Sequence, residues 1–377
     1  MTIKQHYLYD ASKKERLNIK KVFSNKKFTD GEFQNKCDTY LQKTLRSKYI
    51  AVTQSCAAAL EISAKLIDLN DNDEILLPSF TFSATLTSFF RKKIKPIFID
   101  IEKDSLCMCP IDAEKKITNK TKAIYLVHYG SNFCDMKKFM KLKKKYNILI
   151  IEDAAHSIFG LFNNKYIGTI GDIGNFSFHE TKNFSSGQGG AISINNKNLI
   201  KKAELILNKG NDLNNLIEDN FKYFNLVSIG SEYRLAEIPS AMLYGQLIRH
   251  KTIIKKRKEI FNFYKEICAN DICKNYFYFI DIKKNSISNF HNCTIVFKSN
   301  NIAKNFMTYM KKKKINVATH YYPLHMSKFA KQFCNIKLNN TDLIFNKLIR
   351  LPMHTNIKKN NLNYFKHHFL NFFNKID

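Results

Sequence analysis

Between about residues 49 and 195, short apolar runs alternate with helical stretches, and this alternation restricts the fold more than any other feature of the 377 residues. The runs at 49–52, 74–77, 96–101, 123–127, 148–151 and 191–194 have the length and the apolar, often β-branched content of buried strands. Another apolar and aromatic run, holding Phe176 and Phe178, precedes the last of them. Residues 53–69, the stretch after Pro78, and 136–146 read as helices between the strands. Such alternation predicts a mostly parallel α/β sheet covered by helices. Ligands bind beyond the carboxyl ends of the strands in such sheets. Ser55, His128, Asp153 and His156 all fall at those ends.

One core stops growing near roughly 250–300 residues, so this length predicts two domains. The expected division is a polar N-terminal arm over 1–30, a large α/β domain over 31–250, and a smaller C-terminal α+β domain over 251–377. Residues 33–45 read as a helix, 197–222 as lysine-rich helix, and 238–268 as one long helical stretch bridging to the second domain. Residues 294–297 and 315–319 read as strands of that domain. The segment HYYPLH, 320–325, is a proline-bearing loop dense in polar aromatics, a place where function is more common than packing.

The formal net charge is +29, which raises nucleic acid as a partner. Only seven of the 61 basic residues are arginine, however, and the lysines are spread evenly along the chain. Nucleic-acid readers favour arginine for bidentate contacts, so this class is discounted. The nine cysteines form no Cys-x-x-Cys pair and give no metal site. Scattered thiols fit a reducing compartment. The first residues show no apolar signal segment, and no run reaches the roughly 20 apolar residues of a membrane span, so a cytoplasmic protein is expected.

Chemistry concentrates in GDIGNFSFHETKNFSSGQGGAISIN, 171–195, where a strand ends, one lysine, Lys182, follows, and Gly189-Gly190 opens the next strand. An amine fixed between two strands can attach an aldehyde cofactor; by itself a lysine beside a turn is usually a solvated surface residue. Ser55 is an N-cap candidate for a helix starting directly after a strand, which presents free N–H groups to a phosphate; an ordinary capped helix has the same pattern. Phe82 is a core residue or the cover of a planar cofactor. Asp153 is a partner for a protonated ring nitrogen or a helix cap.

Six motifs in order, SCAAALE (55–61), LPSFTFSAT (77–85), IEDAAHS (151–157), GNFSFHETKN…GQGG (174–190), GSEYRLAEIPSA (230–241) and YYPLH (321–325), resemble the nucleotide-sugar aminotransferases of the DegT/DnrJ/EryC1/StrS family. The resemblance spans about 30–355. It implies the type I fold of pyridoxal 5′-phosphate (PLP) transferases, like that of aspartate aminotransferase, and a homodimer with shared active sites. It also implies L-glutamate as amino donor and a nucleotide-linked keto sugar as acceptor. SFHETKN and GSxY are most similar to members that convert dTDP-4-keto-6-deoxyglucose to dTDP-4-amino-4,6-dideoxygalactose for enterobacterial common antigen. Carried over by position, Lys182 would be the Schiff-base lysine and proton carrier, and Asp153 the partner of the pyridinium nitrogen. His156 would lie near the phenolic oxygen and Phe82 on the ring face. Cys56, Ala57 and Ser177 would hold the phosphate, and His320, Tyr322 and His325 would line the sugar side.

Two positions depart from the family pattern. Ser55-Cys56-Ala57-Ala58 stands where Ser-Gly-Thr-Ala is usual, which removes one hydroxyl contact to phosphate, a loss on the order of 1 kcal/mol. Glu232 stands where many members have an asparagine that reaches the partner subunit's phosphate. Lys182 is intact, unlike in the dehydratase branch, which has histidine there. Another keto-sugar nucleotide as acceptor, or a non-catalytic PLP-binding relative, is the alternative reading.

Overall fold

Seven strands, β1 Tyr49–Thr53, β2 Glu74–Pro78, β3 Lys95–Ile99, β4 Thr121–Val127, β5 Leu149–Asp153, β6 Ile173–Ser177 and β7 Gly190–Ile194, form one sheet in the order β1-β7-β6-β5-β4-β2-β3. They belong to a computed structural model that describes residues 2–5, 12–90, 93–212, 217–218, 221–222 and 225–376. The pairs β2–β3, β2–β4, β4–β5 and β5–β6 are parallel; β7 runs antiparallel to both β6 and β1. The fold is the α/β architecture expected from the alternation, with helices between the parallel strands.

Side chains alternate across the sheet and both faces are covered, so the strands are apolar throughout. Leu76 enters the core on one face, while Ile75 and Leu77 enter the core on the other. A third core lies in the C-terminal part. There Phe277–Phe279, Cys293–Phe297 and Leu348–Leu351 form an antiparallel sheet under the helices His250–Cys268, Asn300–Lys312 and Lys359–Phe373. Phe365, Phe369 and Phe373 recur at helical spacing and dock on that sheet. C-terminal residues Ile280, Val296, Ile344 and Leu348 also enter the core of the large sheet.

Four local expectations change. The 1–30 arm contains the helix Lys13–Asn25, capped by Ser12, which packs near the helix Glu237–Leu247. Its buried side chains are Val22 and Glu15, the latter paired with Arg249, so the apolar period is nearly silent in the sequence. Of the helix expected over 197–222, the described residues show the 3-10 turn Lys197–Leu199 and the α-helix Ile200–Leu207. Lys209 and Gly210 then take positive φ, 64° and 82°, which ends the helix. The following described strands are Asn211–Asp212, paired with Asn225–Leu226, and Ile217–Glu218, paired with Phe221–Lys222. The stretch 238–268 is two helices, Glu237–Leu247 and His250–Cys268. Residues 315–319 make only isolated bridges, Ile315 to Ile3 and Ala318 to Arg350.

Candidate active site

The carboxyl ends of β4 and β5, the helix start at Cys56 and the 178–189 loop enclose a cavity of about 510 Å³. Its lining gathers Lys182, Asp153, His156, Ser177, Cys56, Ala57, Phe82 and His320 from the residues singled out above. Thr81, Gln188 and Tyr321, from the quoted motifs but given no role there, join them, as do His291 and Arg350, which lie outside every motif.

Lys182 sits on a loop that reverses the chain between β6 and β7. Phe178 N–H donates to Gly189 O at 2.8 Å and Glu180 N–H to Gly187 O at 2.8 Å, with Gly187 at φ 79°. Gln246 grips Ser185 from both sides, its side-chain oxygen accepting from the Ser185 N–H and its amide donating to the Ser185 carbonyl. Asn183 donates to Asn289 O at 2.8 Å and lies 3.0 Å from His291 Nδ1. The amine is therefore presented from a clamped segment. Burial lowers its pKa to about 8, with Arg350 adding to that effect and Cys56 and Asp153 opposing it. Lys182 is half-buried because the cavity reaches its side chain.

Asp153 ends β5. Thr85 Oγ1 donates to its Oδ2 at 2.9 Å and Ala155 N–H to its Oδ1 at 3.1 Å. Burial still raises its pKa, because these bonds and the charges of Lys182 and His128 do not fully replace water. His156 accepts from Gly130 N–H through Nδ1 at 3.1 Å, which leaves Nε2, 3.4 Å from Tyr321 Oη, to carry the proton. Its ring stacks on His291 at 4.3 Å. His128, also at a strand end and in the cavity lining, has both ring nitrogens engaged by protein groups, with Nδ1 accepting from Cys134 N–H at 3.1 Å. Its Nε2 lies 3.1 Å from Glu152, which also accepts from the N–H groups of Gly168, Ile170 and Gly171.

Ser55 caps the helix Cys56–Leu66, its Oγ accepting from Ala58 N–H at 3.0 Å. The first amides of such a helix have no intrahelical partner and point out of its start. Gly190 lies so close beneath that a Cβ there would stand 2.5 Å from Cys56 N and 2.5 Å from Ser55 C. Only glycine lets β7 pass at this distance. Burial keeps Cys56 a neutral thiol. Ser177 Oγ accepts from His179 N–H at 3.4 Å. Phe82 is 62% exposed, so its ring is free to cover a planar group at the cavity mouth.

Tyr322 and His325 lie outside the lining. Tyr322 is exposed and its hydroxyl donates to Met326 O at 3.4 Å. His325 is buried, 2.6 Å from Ser79 Oγ through Nδ1 and 3.1 Å from Asp342 through Nε2. Their expected place is held by Tyr321, from the same loop. Its ring stacks on His320 at 4.1 Å, and His320 Nδ1 lies 3.2 Å from Tyr129 Oη. Glu232 is exposed and pairs with Lys209 at 2.7 Å.

A model of the DegT/DnrJ/EryC1/StrS aminotransferase family matches residues 10–368. The chain is 28% identical to the GDP-perosamine synthase of Escherichia coli O157:H7, over 78% of each chain. It is 28% identical to the UDP-4-amino-4,6-dideoxy-N-acetyl-beta-L-altrosamine transaminase of Campylobacter jejuni, over 89% of this chain and 88% of that one. Among solved structures, PseC of Helicobacter pylori, an aminotransferase in pseudaminic acid biosynthesis, superposes with a TM-score of 0.90 over the full length of both chains at 24% identity. No described helix is long and apolar enough to cross a membrane.

Proposed function

Because this chain belongs to the DegT/DnrJ/EryC1/StrS aminotransferase family, we propose that it moves an amino group from L-glutamate to C4 of a 4-keto-6-deoxy sugar carried on a nucleoside diphosphate. PLP is its cofactor, and the residues present fit it. A lysine amine with a lowered pKa, a buried carboxylate with a raised one, and a helix start closely approached by Gly190 come together at one cavity. The joint presence of Lys182 and Asp153 on that cavity carries the reading.

When bound, the cofactor supplies an aldehyde for attachment and a ring that accepts electrons. Lys182 Nζ is the attachment point. Once released, the same amine takes the proton from the donor's Cα and redelivers it, a task suited to a pKa near neutrality. Asp153, its carboxylate held by Thr85 Oγ1 and Ala155 N–H, would pair with the ring nitrogen and keep it positively charged. Cys56, Ala57 and Ser177 would hold the phosphate, Phe82 would cover the ring face, and His156 would face the ring's phenolic oxygen. His320, with Tyr321 beside it, would meet the sugar. The reaction balances in two halves: glutamate leaves as 2-oxoglutarate, and the keto sugar leaves as the amino sugar.

The motif resemblance favours dTDP-4-keto-6-deoxyglucose, with dTDP-4-amino-4,6-dideoxygalactose as product; the relatives named for GDP- and UDP-sugars make the nucleotide the open variable. A homodimer with shared sites goes with this reading. The test is the visible spectrum of the PLP-loaded protein. L-glutamate should remove the band of the bound cofactor, and dTDP-4-keto-6-deoxyglucose should restore it. Restoration only by a GDP- or UDP-linked keto sugar would move the nucleotide assignment. A band that persists unchanged in Lys182→Ala would refute the role of Lys182.

A further inference from the structure

His291 lines the cavity and touches two of its elements at once. On one side is the lysine loop. Asn183, the neighbour of Lys182, donates its amide to Asn289 O at 2.8 Å, so its Oδ1 is the atom 3.0 Å from His291 Nδ1. An amide oxygen only accepts, which places the proton of the neutral ring on Nδ1. On the other side is His156, whose ring lies 4.3 Å away and within 23° of parallel. One segment thus holds the His291 ring by its edge and another by its face.

The backbone around His291 is fixed as well. Arg257 donates through Nε to Phe290 O at 2.9 Å and through Nη2 to His291 O at 2.6 Å. Phe290 takes φ 55°, and its N–H donates to Ser288 Oγ at 2.9 Å. Asn289 donates to the carbonyls of His156 and Ile158 at 2.8 and 3.0 Å, so this segment is pinned to the stretch whose ring it stacks on. Burial lowers the pKa of His291 well below that of an ordinary histidine, and the neighbouring His156, Lys182, Arg257 and Arg350 push the same way. The ring is therefore neutral at pH 7 and above.

We propose that His291 is a positioning residue for the transamination site: its Nδ1–H bond to Asn183 holds the Lys182 amine at the cavity wall, and its ring fixes the plane of His156. The part concerning His156 rests on the PLP reading; the part concerning Lys182 stands without it. A neutral ring brings no charge to Lys182, so its effect on that amine runs through the position of the loop. Cys56, Asp153 and Arg350, the groups whose charge bears on the amine, stay in place when His291 is replaced. Without the bond the loop loosens and water reaches the amine, which relieves the desolvation that lowers its pKa.

The test uses wild type, His291→Phe, His291→Asn, Asn183→Leu and the double variant H291F/N183L. Two quantities are read: the pH midpoint of amine modification at Lys182 in cofactor-free protein, and the visible band of the PLP-loaded protein. H291F keeps a ring to stack and drops the donor; H291N keeps a donor near the place of Nδ1 and drops the ring. H291F and N183L should each raise the midpoint from about 8 by roughly one pH unit, a tenfold change in the amine's proton affinity. The double variant should raise it no further than either alone, because both remove the same bond. H291N should keep the midpoint within about 0.3 of wild type and should instead move the visible band, which H291F leaves in place. An unmoved midpoint in H291F or additive effects in the double variant overturn the hold on Lys182, and an unmoved band in H291N overturns the hold on His156. A fall in Tm shared by all variants, with midpoint and band unchanged, makes His291 structural and overturns both. Should H291F not fold, N183L against H291N decides the same point. If wild type takes up no PLP, the cofactor reading fails, while the midpoint in cofactor-free protein still judges the hold on Lys182.

Discussion

Thr85 Oγ1 donates to Asp153 Oδ2 at 2.9 Å, and Thr81 Oγ1 stands 2.9 Å behind Thr85, so a line of hydroxyls orients the carboxylate at the end of β5. Thr85 lies on a separate element, the short helix Ser83–Thr87. Replacing it with valine keeps the volume and removes the donor. Such a bond to a charged group is worth about 1.5–3 kcal/mol, so Thr85→Val should weaken PLP binding roughly tenfold or more. Titration of cofactor-free protein with PLP, followed by absorbance, checks this; an unchanged Kd would mean that Asp153 needs no such support.

Asp153 itself should trade stability for function. Burial raises its pKa, so the folded state binds the proton more tightly than the unfolded chain. The carboxylate therefore costs stability, and that cost grows as pH rises from the unfolded value through the folded one. Asp153→Asn should leave the cofactor-free protein as stable as wild type or more so at neutral pH, while transamination falls by about a hundredfold or more. Thermal melts and a coupled assay on the same samples decide it. Near-wild-type turnover would remove Asp153 from the ring nitrogen.

Lys182 has a folded pKa near 8, below its usual value, chiefly through burial. The sign is opposite to that of a paired lysine: the folded protein prefers the neutral amine, and stability rises with pH from about 8 towards the unfolded value. An amine-directed reagent should modify this site half-maximally near pH 8, measured as the difference between wild type and Lys182→Ala. A midpoint above pH 10 would show that the cavity does not desolvate the amine.

Gly190→Ala should fail for a packing reason. The new Cβ would meet backbone atoms of Ser55 and Cys56 at about 2.5 Å, and neither β7 nor the helix start can yield without losing strand pairing. Overpacking of this kind costs typically ~1–3 kcal/mol. Tm should fall, and PLP affinity with it if the same amides hold the phosphate as proposed. A variant with wild-type Tm and PLP affinity would refute the close approach.

His320 and His325 should separate cleanly. His325 is buried against Ser79 and Asp342 and lies outside the cavity, so His325→Ala should lower Tm and leave KM for the keto sugar unchanged. His320 lines the cavity, so His320→Ala should raise that KM with little change in Tm. A reversal of the two results would put the sugar on the other side of the loop.

Local pattern in the chain was enough to specify the sheet. Apolar runs long enough for a strand and too short for a helix, separated by helical segments, leave few arrangements other than a covered parallel sheet. It also determined which loops end at one edge of that sheet. Lys182, Asp153, Ser55 and Gly190 were therefore legible, because each sits at a strand or helix boundary that local pattern marks. Tertiary structure alone decided the rest of the site. Thr85 and Tyr321 stand in recognisable motifs that do not say which residue faces the cavity, His291 stands in none, and Arg350 sits 168 positions after Lys182 on the apolar-looking strand Leu348–Leu351. Periodicity reports which face of an element is buried, and it cannot report what two distant elements present to each other. The same limit hid the helix Lys13–Asn25, whose anchor is the charged pair Glu15–Arg249. It also misplaced His325, because a histidine in a polar loop looks the same whether it faces a cavity or a buried serine.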